Sequence, residues 1–113
     1  MTRARAVKPG SPPLVVLDAD PAQCPRLSRS GAYHPVRTLH TARRRTLVQL
    51  LTGSTQEGPV MRRLLPELRP GDPVLIGMLG ADGQSLASRY GGAEPCPEYL
   101  VRPDGKIEPL TAY

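Results

Sequence analysis

Two cysteines, two histidines and a run of three arginines are the residues of this 113-residue chain best suited to chemistry. Cys24 lies in "LDADPAQCPRL", where an apolar run is followed by Cys-Pro. A thiol held after a strand and near a helix N-terminus ionises readily and becomes nucleophilic. Position 27 is Leu27, so there is no Cys-x-x-Cys pair. A redox cycle would use Cys24 alone or join it to Cys96, which stands just ahead of Pro97. The plain alternatives are an inert loop cysteine at 24 and a small half-buried residue at 96. Cys24, His34, His40 and Cys96 would make four zinc ligands by number, but their separations follow no zinc pattern, and no metal site is expected. Neither histidine has a partner at a spacing that suggests a catalytic base.

Arg43, Arg44 and Arg45 are the densest charge. They suit a phosphate or a nucleic acid backbone. Aromatic side chains that could stack on bases are few and scattered: Tyr33, Tyr90, Tyr99 and Tyr113. A solvated basic face explains the triplet equally simply. Residues 1–45 hold nine Lys/Arg against two acids, and residues 46–113 hold six against eight, so the net charge of +5 comes from the first part of the chain. Such asymmetry suits a basic tail meeting an anionic partner.

The length allows one domain at most. With no Phe and no Trp, its core must be built from Leu, Val and Met. Fourteen Pro and eleven Gly favour a loose part beside a folded one. Residues 1–30, basic and proline-rich, are expected as a loosely ordered tail, and residues 31–113 as the domain. No apolar run approaches the ~20 residues that span a bilayer, and Leu14–Leu17 is too short for a signal-peptide core. A cytoplasmic protein is expected. The early basic residues suit an organelle transit peptide, but Pro9, Pro12 and Pro13 would break its helix.

These groups need elements to position them. "PLVVLDAD" (13–20) predicts a short strand, and "VRTLHTA" (36–42) a helical turn. "TLVQLLTG" (46–53) and "PVLIGMLG" (73–80) predict strands buried on both faces. In "GPVMRRLLPEL" (58–68) the apolar residues fall at helical spacing, with Pro59 at the first helical position and Pro66 as a kink. "ADGQSLASRYGG" (81–92) predicts a turn and a short helix capped by Gly91. "CPEYLVRPDGKIEPL" (96–110) predicts a hairpin turning at Asp104-Gly105, with Arg102 able to pair across it. Two apolar strands joined by a helix imply a parallel crossover. The fold class expected is α/β, a mixed sheet with flanking helices behind a basic, partly disordered N-terminal segment.

That order, with Pro97 just ahead of a strand and a D-G hairpin, resembles the thioredoxin-like fold, in which a proline, commonly cis, precedes the third strand. More narrowly, Leu100-Val101-Arg102-Pro103-Asp104-Gly105, preceded by Tyr90-Gly91 in "SRYGG", resembles the C-terminal thioredoxin-like domain of flavin-dependent aromatic hydroxylases, the phenol hydroxylase-like FAD monooxygenases. The segment "VRTLHTARRRTLVQLLTG" (36–53) is similar to the lead into that domain's first strand. The resemblance implies a non-catalytic domain that acts in packing or subunit association, with itself or with a flavoprotein partner. It implies FAD only for a longer relative or that partner, since no GxGxxG follows a strand here. Asp104-Gly105-Lys106-Ile107 also resembles the "DGKI" of peroxiredoxin-like proteins, which implies a single-cysteine redox protein using Cys24. A basic nucleic-acid-binding protein is the third reading.

Overall fold

The structure, a computed structural model, describes residues 1–20, 32–53, 60–80, 83–86 and 96–110. Eight strands carry it: β1 (Thr2–Lys8), β2 (Leu14–Leu17), β3 (Val36–Thr38), β4 (Arg45–Thr52), β5 (Val60–Pro66), β6 (Pro73–Ile76), β7 (Tyr99–Val101) and β8 (Ile107–Pro109). One helical turn, α1 (Gly83–Leu86), is the only helix among the described residues.

Six strands form one sheet in the order β3-β6-β1-β2-β4-β5. β2 and β4 run parallel, and the other neighbours run antiparallel. Alternate residues point to opposite faces of a strand. In β4 this puts Val48, Leu50 and Thr52 inside, and in β2 it puts Val15 and Leu17 beside them. The core is completed by Ala4, Ala19, Met61, Leu65, Leu68 and Val74. It is aliphatic, as a chain without Phe or Trp requires. The sheet curls over this core until its two edges, β3 and β5, come into contact.

The curl closes through side chains. Arg63 of β5 donates from Nη2 to the carbonyl of His34 at 3.2 Å, and its guanidinium lies 4.5 Å from the ring centroid of Tyr33. Both residues stand just before β3. On β5 the inward positions are Met61, Arg63 and Leu65, and Arg63 pairs across the ladder with buried Val48.

This fold is not the thioredoxin-like α/β sheet that the sequence suggests. Residues 58–68 are not a helix; β5 pairs with β4 from Val60 to Pro66, and Pro66, which has no N–H to give, ends the ladder at an edge strand. The inward Arg63 breaks the alternation and leaves apolar pairs that read as helical spacing. Residues 36–38 are strand β3, not a helical turn. β4 and β6 are not neighbours, because β2 and β1 lie between them, so no parallel crossover joins them. The largest departure is at the N-terminus. Residues 2–8, expected to be loosely ordered, form β1 near the middle of the sheet. Their basic residues alternate with small ones, so Arg3 and Arg5 face out while Ala4 is buried. A bulge between Ala4 and Ala6 shifts the register.

β7 and β8 form a separate two-stranded sheet. Its turn is a three-residue loop rather than the expected two-residue one. The Gly105 N–H donates to the Arg102 carbonyl at 2.9 Å, the Arg102 N–H donates to the Lys106 carbonyl at 2.8 Å, and Gly105 alone takes a positive φ, of 83°. Pro103 supplies the fixed φ of a type I turn, and Gly105 the left-handed bulge residue.

Because Arg63 is the polar clasp of the seam, Arg63→Met keeps most of its apolar stem but removes its two hydrogen bonds and the charge over Tyr33. The variant should lose about 1–3 kcal/mol of unfolding free energy, read by urea denaturation.

Candidate functional site

The densest polar grouping in the described structure centres on Asp72, in the turn that the sequence announces as "PGD". Gly71, at φ 91°, lets the chain reverse there. The turn is docked onto β1: the Ala4 N–H donates to the Asp72 carbonyl at 2.9 Å, and the Gly71 N–H donates to the Ala4 carbonyl at 2.7 Å. Arg3 adds a bond from Nη1 to the Gly71 carbonyl at 3.0 Å.

The Asp72 side chain, 10% exposed, is surrounded by donors. Its Oδ2 accepts from the Arg69 N–H at 2.7 Å and from Arg43 Nη1. Its Oδ1 lies 3.2 Å from Nε2 of half-exposed His40. Arg43 Nη1 also donates to the Glu67 carbonyl at 3.1 Å. Burial alone would push the Asp72 carboxyl up. The Arg69 amide, the Arg43 hydrogen bond and the charges of Arg43 and His40 outweigh it and hold the carboxyl below its usual range. The group binds the loop before β4 to the turn before β6. It also fixes an imidazole at the surface, with Asp72 setting the ring's orientation. The Thr38 hydroxyl accepts from the His40 backbone N–H at 3.5 Å, and the Asp72 grouping ties these segments together as a latch.

A second histidine is used differently. His34 is buried, and its Nδ1 lies 3.0 Å from the Gly77 carbonyl, which can only accept, so Nδ1 carries the proton. Its Nε2 is buried without a partner. Gly77 has no room for a side chain, since a Cβ would come within 2.9 Å of Pro35 Cγ.

The arginine triplet does not act as one anion patch. Arg43 turns in to Asp72, and Arg45 donates from Nη2 to the Leu64 carbonyl at 3.0 Å. Arg44 is exposed, as is Arg45, and uses its carbonyl to accept from the Glu67 N–H at 2.8 Å. Cys96 is a free, exposed thiol. Cys24, Tyr90 and Gly91 lie outside the described residues. Pro97 is not preceded by a cis bond; the one cis peptide among the described residues joins Ser11 to Pro12. Arg102 pairs with Glu108 at 2.8 Å across the hairpin, with both side chains about half exposed, and such a pair is worth under about 1 kcal/mol. Leu100, Val101, Pro103, Asp104 and Gly105 make the exposed hairpin itself. No group of three or more metal-ligating side chains occurs among the described residues. None of their helices is long and apolar enough to cross a membrane. The Asp72 latch was not anticipated. Its partners come from positions 40, 43 and 69, and its one sequence signal is an acid closing a Pro-Gly turn.

No family model and no curated protein matches the chain. Solved structures do. A crystal structure of diaminopimelate decarboxylase matches with a TM-score of 0.85 and 26% identity, over 96% of this chain and 29% of that one. Diaminopimelate decarboxylase from Helicobacter pylori, complexed with L-lysine, matches with a TM-score of 0.81 and 27% identity, over 96% of this chain and 27% of that one. SrLDC in complex with PLP and cadaverine matches with a TM-score of 0.71 over 83% of this chain and 26% of that one; at 21% identity it is a likeness of fold alone. The chain thus spans less than a third of each. These matches, with the six-stranded curled sheet, overturn the resemblance to the thioredoxin-like domain of flavin-dependent hydroxylases and the functions drawn from it. The FAD expected of a partner rested on that resemblance alone.

The lowered Asp72 pKa has a stability consequence. Its contribution is full above the unfolded-state value of about 3.9 and is lost as pH falls through the lower folded value. Asp72→Asn should therefore be less stable than the parent at neutral pH. The gap in unfolding free energy should narrow only as the pH drops below about 4. A pH series of denaturant titrations on both proteins checks this.

Proposed function

We propose that this chain is the β-rich part of a PLP-dependent amino-acid decarboxylase of the diaminopimelate or lysine kind, and that it supports the reaction without carrying it out alone. The observation that carries the reading is the likeness to diaminopimelate decarboxylases along nearly the whole chain at 26% and 27% identity. The exposed apolar side chains support it as well. Leu47 and Leu64 are paired on the outer face of the sheet, and Val60 lies on the same face; all three are about half exposed. Apolar surface of this kind marks a face that another part of a protein covers.

The described residues do not fit PLP by themselves. The cofactor is held in such enzymes as a Schiff base with a lysine. This chain has two lysines, Lys8 and Lys106, and both are exposed, Lys106 beside Asp104 in the hairpin turn. No step through the cofactor is assigned to these residues. Their role is to present a closed sheet against the part that binds it.

Purified chain given PLP should release no CO2 from diaminopimelate or L-lysine. Substituted for the matched segment of the Helicobacter pylori enzyme, it should give a soluble chimera that takes up PLP. Decarboxylation by the chain alone, or a chimera that stays insoluble, would refute the assignment.

A further inference from the structure

The β7–β8 hairpin lies outside the six-stranded sheet. Two strands alone are marginally stable in water, and a third or fourth strand is what usually secures them. One face of this hairpin is apolar: Tyr99, Val101, Ile107 and Pro109 share it, and Tyr99, Val101 and Ile107 are 58%, 66% and 67% exposed.

The two edges of the hairpin differ. The bonds from the Arg102 N–H to the Lys106 carbonyl and from the Leu110 N–H to the Glu98 carbonyl fix which groups face inward. Residues 98, 100 and 102 spend their backbone groups on β8. Tyr99 and Val101 therefore point theirs to the outer edge of β7, where no further strand of the described residues pairs. On the outer edge of β8 the corresponding residues are Ile107 and Pro109, and Pro109 has no N–H, so that edge is blunted.

We propose that β7 is a self-association edge, at which two copies of this chain pair antiparallel about a two-fold axis through Leu100. Such an axis places residue i opposite residue 200 − i of the other copy. Tyr99 then faces Val101, and the two exchange backbone hydrogen bonds on each side of the axis. Glu98 faces Arg102, so opposite charges meet twice. Pro97 faces Pro103, and the two prolines bound the ladder at both ends. Moving the axis to Tyr99 would set Pro97 opposite Val101, and moving it to Val101 would set Pro103 opposite Tyr99. In each case an outward carbonyl and N–H meet a residue that cannot donate. Only the Leu100 register satisfies both charge and backbone. The product is a four-stranded sheet, β8-β7-β7-β8, with the apolar residues of both hairpins on one face and Leu100 against its own copy on the other. The proposal is independent of the decarboxylase reading.

Sedimentation equilibrium on the full chain tests it. The parent should show a concentration-dependent dimer. Glu98→Arg sets Arg against Arg across the axis and leaves the Arg102–Glu108 pair intact. It should weaken the dimer by about tenfold or more. A second variant, Arg102→Glu with Glu108→Arg, keeps the hairpin's own ion pair in reversed order and should weaken self-association likewise. An equimolar mixture of the two variants restores both cross-axis pairs and should dimerise like the parent. A parent that stays monomeric, variants that dimerise unchanged, or a mixture that stays monomeric would each overturn the proposal.

Discussion

Among the described residues a single sheet encloses an aliphatic core with no large aromatic side chains by curling on itself. That curl is the constraint on which the rest depends. Val15, Leu17, Val48 and Leu50 are among the fully buried side chains, and all come from the two parallel strands β2 and β4. The flanking strands must bend inward to cover them. At the seam, β3 and β5 meet without a backbone ladder. The clasp is Arg63, which reaches the His34 carbonyl and the Tyr33 ring. An inward arginine costs apolar area at a core position. Its Nη1 and Nη2 reach the carbonyls of Arg62 and His34 at the seam, while Nε stays buried without a partner.

The Asp72 latch follows from the same geometry. Bringing β6 to the outer side of β1 places the turn at 69–72 against Ala4 and under the loop that enters β4. A carboxylate left there would be half-desolvated and unpaired. Arg43, His40 and the Arg69 amide remove that cost. The loop before β4, the turn before β6 and strand β1 are thereby tied at one end of the sheet.

Much of the β content was legible in the residues. The runs at 14–17, 46–52 and 73–76 are apolar enough to be strands in any fold, and Pro103-Asp104-Gly105 can only turn the chain. The arrangement was not legible, for two physical reasons. β1 is composed of alternating small and basic residues, whose local preference is weak, and it becomes a strand because β2 and β6 offer ladders on both sides. In β5, Arg63 interrupts the inward row, and its neighbours Leu64 and Leu65 then mimic a helix stripe. With one central strand unseen and both edge strands, β3 and β5, taken for helical segments, the remaining order resembled an α/β sheet. The hairpin, common to many folds, lent that resemblance a specificity it does not carry. Of the site, the arginine triplet marked the right neighbourhood. Asp72 was hidden, and the partner of His40 with it, because their contact is made by topology rather than by spacing.

The pairing of the central strands is the most direct test. In solution NMR of the full chain, inter-strand backbone NOEs should connect Ala4 with Leu17 on one side of β1 and Thr2 with Val74 on the other, and Val15 with Leu50 across the parallel pair. Observing these contacts would establish the curled sheet with β1 inside it. NOEs placing β4 directly beside β6, with residues 2–8 free of long-range contacts, would contradict it.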